Sequence, residues 1–163
     1  MISEKDILLA CQKSTPEGQR LLYLKYAPLL KAVCYRYIKD KDEAADVLQD
    51  AFVKIFKKIK DFKGQGSLEG WLKKVVVNTT LDFLQKKKVR AEITYNQEDC
   101  AQEVQIDVDA DEEGIVSKIV NLGFTKESLV QLLHELPEPY ATVFNLFFID
   151  EISHKEIAGL LNT

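Results

Sequence analysis

The apolar positions along the first 90 residues recur at helical spacing, which predicts a series of amphipathic helices. Thr15, followed by a proline and an acid, predicts the start of one helix, whose apolar rhythm is interrupted at Pro28. Asp42 predicts the start of a second, with apolar residues inward and charged residues on the other face. Ser67 predicts the start of a long third helix that ends at Lys86–Lys88, because helix C-termini favour positive charge.

The rear of the chain is also helical in pattern, but a different segment precedes it. Residues 91–114 are acidic, poor in large apolar residues and without a helical stripe, which predicts an extended or disordered linker. The helical pattern resumes weakly from 115 and is clear over 125–136, and a proline-rich connection leads into a further helix. Ser153 and Glu156 form the pattern of a capping box for the last helix. The fold class is therefore expected to be all-α.

Charge is distributed unevenly between these segments. Residues 1–90 contain 19 Lys and Arg against 11 Asp and Glu, a net charge of +8. Residues 91–122 contain one Lys against nine acids, a net charge of −8, and residues 123–163 carry −4. A basic lobe attracts polyanions, because neutralising phosphates releases condensed counterions. The acidic strip is either a solvated linker or a mimic of the nucleic acid that the lobe binds.

Composition excludes several classes of protein. The chain has no apolar run near the roughly 20 residues needed to cross a bilayer. Three cysteines without CxxC spacing predict reduced thiols in the cytosol. Two distant histidines and the lack of a phosphate-binding glycine loop give no catalytic, metal or cofactor constellation. We therefore expect no enzyme activity, no metal, no cofactor and no small-molecule substrate.

The order and spacing of several short motifs point to one family. These motifs are Ala45–Phe52 (ADVLQDAF), Trp71-Leu72, Asn78, Asp82 and Leu136-Pro137. Together they resemble bacterial RNA polymerase sigma factors of the extracytoplasmic-function (ECF) group in the sigma-70 family. Residues 40–88 are similar to region 2 of that group, and residues 133–163 to the first part of its region 4.

The resemblance implies a protein that binds RNA polymerase core and directs promoter recognition, melting and transcription initiation. It implies a region-2 domain over 1–90, an acidic linker over 91–122 and a partial helix-turn-helix region-4 domain over 123–163. The recognition helix of that motif is missing, so the chain is either cut from a longer protein or naturally short. We expect the former, because the break falls inside a structural unit. The family is cytoplasmic, with an anti-sigma protein as an expected partner that can hold it at the membrane.

Four polar residues of the second predicted helix are the candidate polymerase contacts. Asp46, Gln49 and Asp50 are three and four residues apart, so they share one helix face. Considered alone, such a patch is usually a solvated face. The resemblance implies that it docks, with Lys54, on the clamp coiled coil of the polymerase's largest subunit.

The loop before the third helix is the first candidate DNA contact. Phe62, Lys63 and Gly64 open it, and its glycines allow a strand to approach closely. In the family this loop captures a base flipped out of the melted minus-ten element, whereas a plain surface turn is the alternative. Trp71 is expected in the core rather than as a stacking platform for bases.

The long third helix supplies the other candidate DNA contacts. They are Lys73, Lys74, Asn78, Gln85, Lys86, Lys87 and Lys88. Lysines contact phosphates, which position DNA without reading its sequence, whereas an asparagine can bond a base edge or sugar. The family usually has an arginine where this chain has Gln85. Asp82 repels phosphate and is expected to orient a neighbouring basic residue or to hold the helices together.

Two other functions stay open from the residues alone. One is a polymerase-independent DNA-binding adaptor, which predicts duplex binding with a steep salt dependence. The other is a truncated interaction module or decoy that binds an anti-sigma protein without supporting transcription.

Overall fold

The computed structural model describes residues 3–94 and 125–161, and every regular element in these residues is a helix. The elements are α1 (Glu4–Gln12), α2 (Pro16–Tyr37), α3 (Lys41–Lys58), a 3₁₀ turn (Ile59–Asp61), α4 (Leu68–Thr94), α5 (Lys126–Glu135), α6 (Glu138–Phe144), a π-helical turn (Asn145–Ile149) and α7 (His154–Leu161). The chain divides into two compact units, Met1–Phe83 and Leu84–Thr163. The all-α prediction is confirmed.

Helix α1 precedes the first helix predicted from the sequence and lies close against α2. It begins with a capping box in which Asp6 N donates to Ser3 Oγ at 3.2 Å and Ser3 N donates to Asp6 Oδ2 at 3.1 Å. Near its other end, a Cβ at Gly18 would lie 2.5 Å from the carbonyl carbon of Ala10. The thiol of Cys11 donates to Gly18 O at 2.9 Å. The two backbones therefore meet at a distance that only glycine permits.

A second contact joins the start of α1 to the middle of α2. Tyr26 Oη donates to Glu4 Oε2 at 2.5 Å, and Lys25 Nζ lies 3.5 Å from the same oxygen. The bond from Tyr26, with smaller help from Lys25, lowers the pKa of Glu4 below its usual value. A lowered carboxyl pKa stabilises the folded state at neutral pH, and this contribution disappears as the pH falls through that lowered pKa.

Helix α2 runs through Pro28 without a break, so the predicted interruption is wrong. Thr15 caps the helix as predicted, with its Oγ1 accepting from Gly18 N at 3.1 Å. A proline inside a helix removes the hydrogen bond to the carbonyl four residues earlier, here that of Leu24. Pro28 is exposed and Leu24 is 60% exposed, so water can bind that carbonyl. The helix therefore continues with the proline on its solvent side.

Helix α3 begins two residues before the predicted position. Asp40, not Asp42, is the N-cap, because Asp40 Oδ1 accepts from the amides of Asp42 and Glu43, both at 2.9 Å. Lys41 and Asp42 already have helical geometry, so the carboxylate that precedes them lies over the free amides.

Helix α4 begins as predicted but ends later. Ser67 Oγ accepts from Gly70 N at 3.0 Å, which is the expected cap. The helix continues to Thr94, beyond the predicted end at Lys86–Lys88, because no Gly or Pro follows to stop it. The remainder of the predicted linker, residues 95–122, and the weak pattern after residue 114 lie outside the described residues.

The core of the first unit is built from the inward faces of α2, α3 and α4. Its fully buried aliphatic side chains include Leu22, Leu30, Val47, Ile55, Leu72 and Val76. Cys34 is buried among them, and burial raises the pKa of its thiol to about 11. Cys11 and Cys34 are free thiols, as predicted, while Cys100 lies outside the described residues.

The caps of α5 and α7 match the sequence pattern. Thr125 Oγ1 accepts from Ser128 N at 3.2 Å at the start of α5. Before α7, Ser153 N donates to Glu156 Oε2 at 3.2 Å and Glu156 N donates to Ser153 Oγ at 3.4 Å. The predicted capping box is therefore confirmed.

The predicted helix over residues 140–148 changes character halfway. After Phe144 it becomes a π-helical turn, in which Asp150 N donates to Asn145 O at 2.9 Å. Asn145 is fully buried and donates from Nδ2 to Ala141 O at 2.9 Å. The turn leaves Leu146 completely buried. The apolar pattern does not predict the π-helical turn, because it continues at helical spacing through these residues.

Replacing Gly18 with alanine should destabilise the first unit. The added Cβ would press on the Ala10 backbone, which cannot yield as a flexible side chain can. We expect a loss of about 1–3 kcal/mol in the free energy of unfolding. Urea unfolding followed by the fluorescence of Trp71, the one tryptophan of the chain, measures it. Arg20→Ala, an exposed change on the same helix, should alter stability by about 0.5 kcal/mol or less; equal effects of the two changes would contradict the close approach.

Candidate polymerase and DNA interfaces

One face of α3 is polar and exposed, because the opposite face is buried. Asp46, Gln49 and Asp50 are all exposed on this face, as their spacing predicts. The residues that turn the helix this way are buried: Val47, Leu48, Ala51, Phe52 and Ile55. Among the described residues, no ion pair involves Asp46 or Asp50. The face therefore offers two carboxylates and an amide without first breaking an internal pair.

The same face continues into an exposed apolar side chain that was not predicted. Val53, three residues after Asp50, is 51% exposed. Beneath it, the ring of Phe52 lies 4.7 Å from that of Tyr23 on α2, and Phe56 lies 5.8 Å from Phe52. The aromatic layer supports the helix, and Val53 adds apolar area that a partner can cover. Its spacing of seven residues from Asp46 is the sequence signal for it.

An ion pair joins α3 to α4 at the edge of this face. Lys54 Nζ lies 3.1 Å from Asp82 Oδ2, with both side chains partly exposed. This bears out the expectation that Asp82 holds a neighbouring basic residue. A pair this exposed contributes about 1 kcal/mol or less, so its main effect is to set the position of the Lys54 ammonium.

The loop from Phe62 to Ser67 is exposed over residues 63–67 and depends on two glycines. Gly64 has a φ of 73° and Gly66 a φ of 85°, in the left-handed region that side chains rarely adopt. A Cβ at either glycine would meet no atom within 4 Å, so the glycines serve the backbone conformation and not close packing. The backbone between them is open to a partner on its solvent side.

Trp71 is not a core residue, which corrects the expectation. It is half-buried, and its ring lies 5.4 Å from that of Phe62 at an angle of 45°. The next residue, Leu72, points into the core and is fully buried. Because successive helix residues are about 100° apart, Trp71 lies on the flank of α4 beside the loop.

The candidate DNA residues in the middle of α4 differ in exposure and in ion pairing. Lys73 Nζ is paired with Glu69 Oε1 at 2.7 Å, one turn earlier on the helix. Lys74 is exposed, and Asn78, four residues later, is half-buried on the same side. Lys73 must therefore share its charge between Glu69 and any phosphate.

Residues 85–91 of α4 are exposed all round. Gln85 and Lys88 continue the side of Lys74 and Asn78, at spacings of seven and three residues. Lys86 and Lys87 are also exposed, but they point to other sides of the helix. Helix periodicity along α4 thus places Lys74, Asn78, Gln85 and Lys88 in one stripe, with Lys73 and Lys86 to either side of it and Lys87 nearly opposite.

The described residues contain no group of three or more His, Cys, Asp and Glu side chains arranged to hold a metal ion. Within residues 3–94 and 125–161, no helix combines the length and apolarity that crossing a membrane requires.

Two family models match the chain in the order of its two helical parts. The model described as Sigma-70 region 2 matches residues 22–90, which include the polar face of α3, the loop and most of α4. The model described as Sigma-70, region 4 matches residues 126–163.

Curated relatives extend the similarity over most of the chain. The ECF RNA polymerase sigma factor SigW of Bacillus subtilis is 31% identical, over 84% of this chain and 73% of the relative. SigV of the same organism, an RNA polymerase sigma factor, is 26% identical over 78% and 68% of the two chains. The ECF RNA polymerase sigma-E factor of Escherichia coli is 25% identical over 99% and 84%. With the two family models in this order, the chain belongs to the ECF group of sigma-70 family RNA polymerase sigma factors.

Proposed function

We propose that the polar face of α3 is the surface that docks on the clamp coiled coil of the largest polymerase subunit. The observation that carries this proposal is that Asp46, Gln49 and Asp50 are exposed on one face inside the region-2 match. Val53 extends the face with apolar area. Lys54 lies at its edge, and a contact with polymerase would share its ammonium with Asp82.

The loop that begins with Phe62, Lys63 and Gly64 is the proposed contact with the melted minus-ten element. Its exposed residues 63–67 and its two positive-φ glycines support this role, because a single strand can approach the backbone closely where a glycine carries no side chain. The half-buried rings of Phe62 and Trp71 form one wall beside it, against which an extruded base can stack.

Helix α4 is the proposed track for the DNA backbone. Lys74 and Lys88 lie on the stripe with Asn78 and Gln85, Lys73 and Lys86 add charge on either side, and Lys87 adds charge on the far side of the helix. Lysines hold phosphates at any sequence, while Asn78 can bond a base or sugar. Gln85 supplies a neutral donor where the family usually has an arginine, so we propose a weaker contact there.

The remaining assignments follow the two helical parts. We propose that residues 1–90 bind polymerase and minus-ten DNA, that the acidic linker predicted over 91–122 begins after the end of α4 at Thr94, and that 123–163 belong to region 4. An anti-sigma protein is the proposed regulator of this cytoplasmic factor. The exposed apolar side chains on α5 and α6 support a partner of that kind: Leu132, Tyr140 and Val143.

The double change Asp46→Ala/Gln49→Ala should weaken binding to core RNA polymerase by about thirtyfold to several hundredfold. Each side chain lost from the centre of an interface costs about 1–2 kcal/mol, and 1.4 kcal/mol corresponds to tenfold. Fluorescence anisotropy of the labelled chain, titrated with core polymerase, measures the dissociation constant.

Glu17→Ala is the matched control for this change. It removes one exposed acid from α2, and so changes the net charge equally, but lies outside the α3 face. We expect its dissociation constant to stay within about twofold of the unaltered chain, since surface charges away from a contact have small effects. An equal loss of affinity for core polymerase in both variants would show that the α3 face is not the docking surface.

Replacing Lys86, Lys87 and Lys88 with glutamine should weaken promoter binding by the holoenzyme and flatten its salt dependence. Each phosphate contact contributes about 0.9 to the slope of log K against log salt on duplex and about 0.7 on a single strand. A drop of about 2 in that slope is expected, measured on one promoter fragment over a series of salt concentrations. Replacing three other exposed lysines with glutamine, Lys5, Lys13 and Lys31, should leave the slope unaltered. An equal drop in the slope of this control variant would show a non-specific charge effect.

A further inference from the structure

The side chain of Gln12 joins two segments of the first unit that are about 50 residues apart. Gln12 is the last residue of α1, and its Nε2 donates to Ile59 O at 3.2 Å and to Phe62 O at 3.1 Å. These carbonyls lie at the start and just after the end of the 3₁₀ turn Ile59–Asp61. Both hydrogens of one amide are therefore used to hold the backbone that leads into the loop.

The position of this amide is set by the way α1 is held. Thr15 Oγ1 donates to Ala10 O at 3.0 Å, and the thiol of Cys11 donates to Gly18 O at 2.9 Å. Each of these bonds joins a residue before Gln12 to a residue after it, and together they hold the end of α1 against the start of α2. The glutamine is thus presented from a rigid backbone, so little entropy is lost when its two bonds form.

The loop is fastened at both ends and open between them. At its start, Ile59 O accepts from Phe62 N at 3.2 Å as well as from Gln12, so the turn is closed twice. At its end, Ser67 caps α4. The intervening residues 63–66 are exposed and include both positive-φ glycines.

We infer that Gln12 is a positioning residue for base capture: it holds the loop start and the Phe62 ring in the arrangement that receives a single-stranded base. The inference rests on the proposed function of the loop. Without the amide, the loop start would adopt several conformations, and binding of a base would have to select one of them. That added cost falls on the base read by the loop and not on docking to polymerase.

The test compares base preference in three holoenzymes formed with core polymerase. One contains the unaltered chain, one contains Gln12→Met, which keeps the side-chain length but has no donor, and one contains Gln12→Lys, which restores a donor. Each captures single strands from a pool randomised across the minus-ten element, and sequencing gives the enrichment at each position. The position read by the loop is defined separately, as the one whose preference disappears in Phe62→Ala.

We expect Gln12→Met to lower the enrichment at that position about fivefold to tenfold, and to leave the other positions and polymerase binding unaltered. Gln12→Lys should restore the enrichment, because the lysine again supplies a donor. Its added charge acts equally on every sequence in the pool and so does not change the enrichment. Gln19→Met, the same change at a half-buried glutamine of α2, should have no effect.

Other results separate the failure of this inference from that of the proposed function. If the unaltered holoenzyme selects no base at the loop, the proposed role of the loop fails, and this inference fails with it. If it does select, and Gln12→Met selects equally well, the inference alone is wrong. If the enrichment is lost in Gln12→Met and does not recover in Gln12→Lys, the effect is due to packing and the inference is also wrong.

A measurement on the free chain tests the geometry without DNA. Trp71 is the only tryptophan, and its ring lies beside that of Phe62. Gln12→Met should raise the acrylamide quenching of its fluorescence at least about 1.5-fold, and Gln12→Lys should return it to the original value. Unchanged quenching in Gln12→Met would show that the loop start does not depend on the amide.

Discussion

The burial of one stripe of α3 is the constraint on which both proposed interfaces of the first unit depend. The apolar side chains of this stripe are covered by their neighbours, and each of the larger ones contributes about 1.5–3 kcal/mol relative to exposure. That energy fixes the rotation of the helix about its axis. Because the rotation is fixed, Asp46, Gln49 and Asp50 must face outward, and Lys54 must face Asp82 of α4. A sigma factor needs such a rigid arrangement, since it has to hold polymerase and promoter DNA at the same time.

The charges of the free protein are partly satisfied within the molecule, and unevenly so. The two acids at the centre of the α3 face are without an ion pair among the described residues, whereas Lys54 and Lys73 are engaged by Asp82 and Glu69. If the α3 face docks as proposed, contacts through Asp46 and Asp50 break no internal ion pair. Contacts through Lys54, or of Lys73 with a phosphate, compete with Asp82 and Glu69.

The sequence predicts best what depends on neighbours along the chain. The α3 face and the caps at Thr15, Ser67 and Ser153 follow from spacings of a few residues, and the structure confirms them. The errors come from tertiary context. Pro28 is tolerated because its side of α2 faces water, and Trp71 lies beside a loop whose position the helical pattern does not contain. The bonds of Gln12 link residues 47 and 50 positions apart, so no local pattern predicts them.

The most direct test of the central claim is to find which polymerase subunit lies against α3. A photo-crosslinking amino acid in place of Gln49, irradiated in the complex with core RNA polymerase, reports its nearest neighbour. If the α3 face docks as proposed, this amino acid crosslinks to the clamp coiled coil of the largest subunit, and the same amino acid in place of Glu17 does not. A crosslink from position 49 to another subunit, or none in a complex that forms normally, would contradict it.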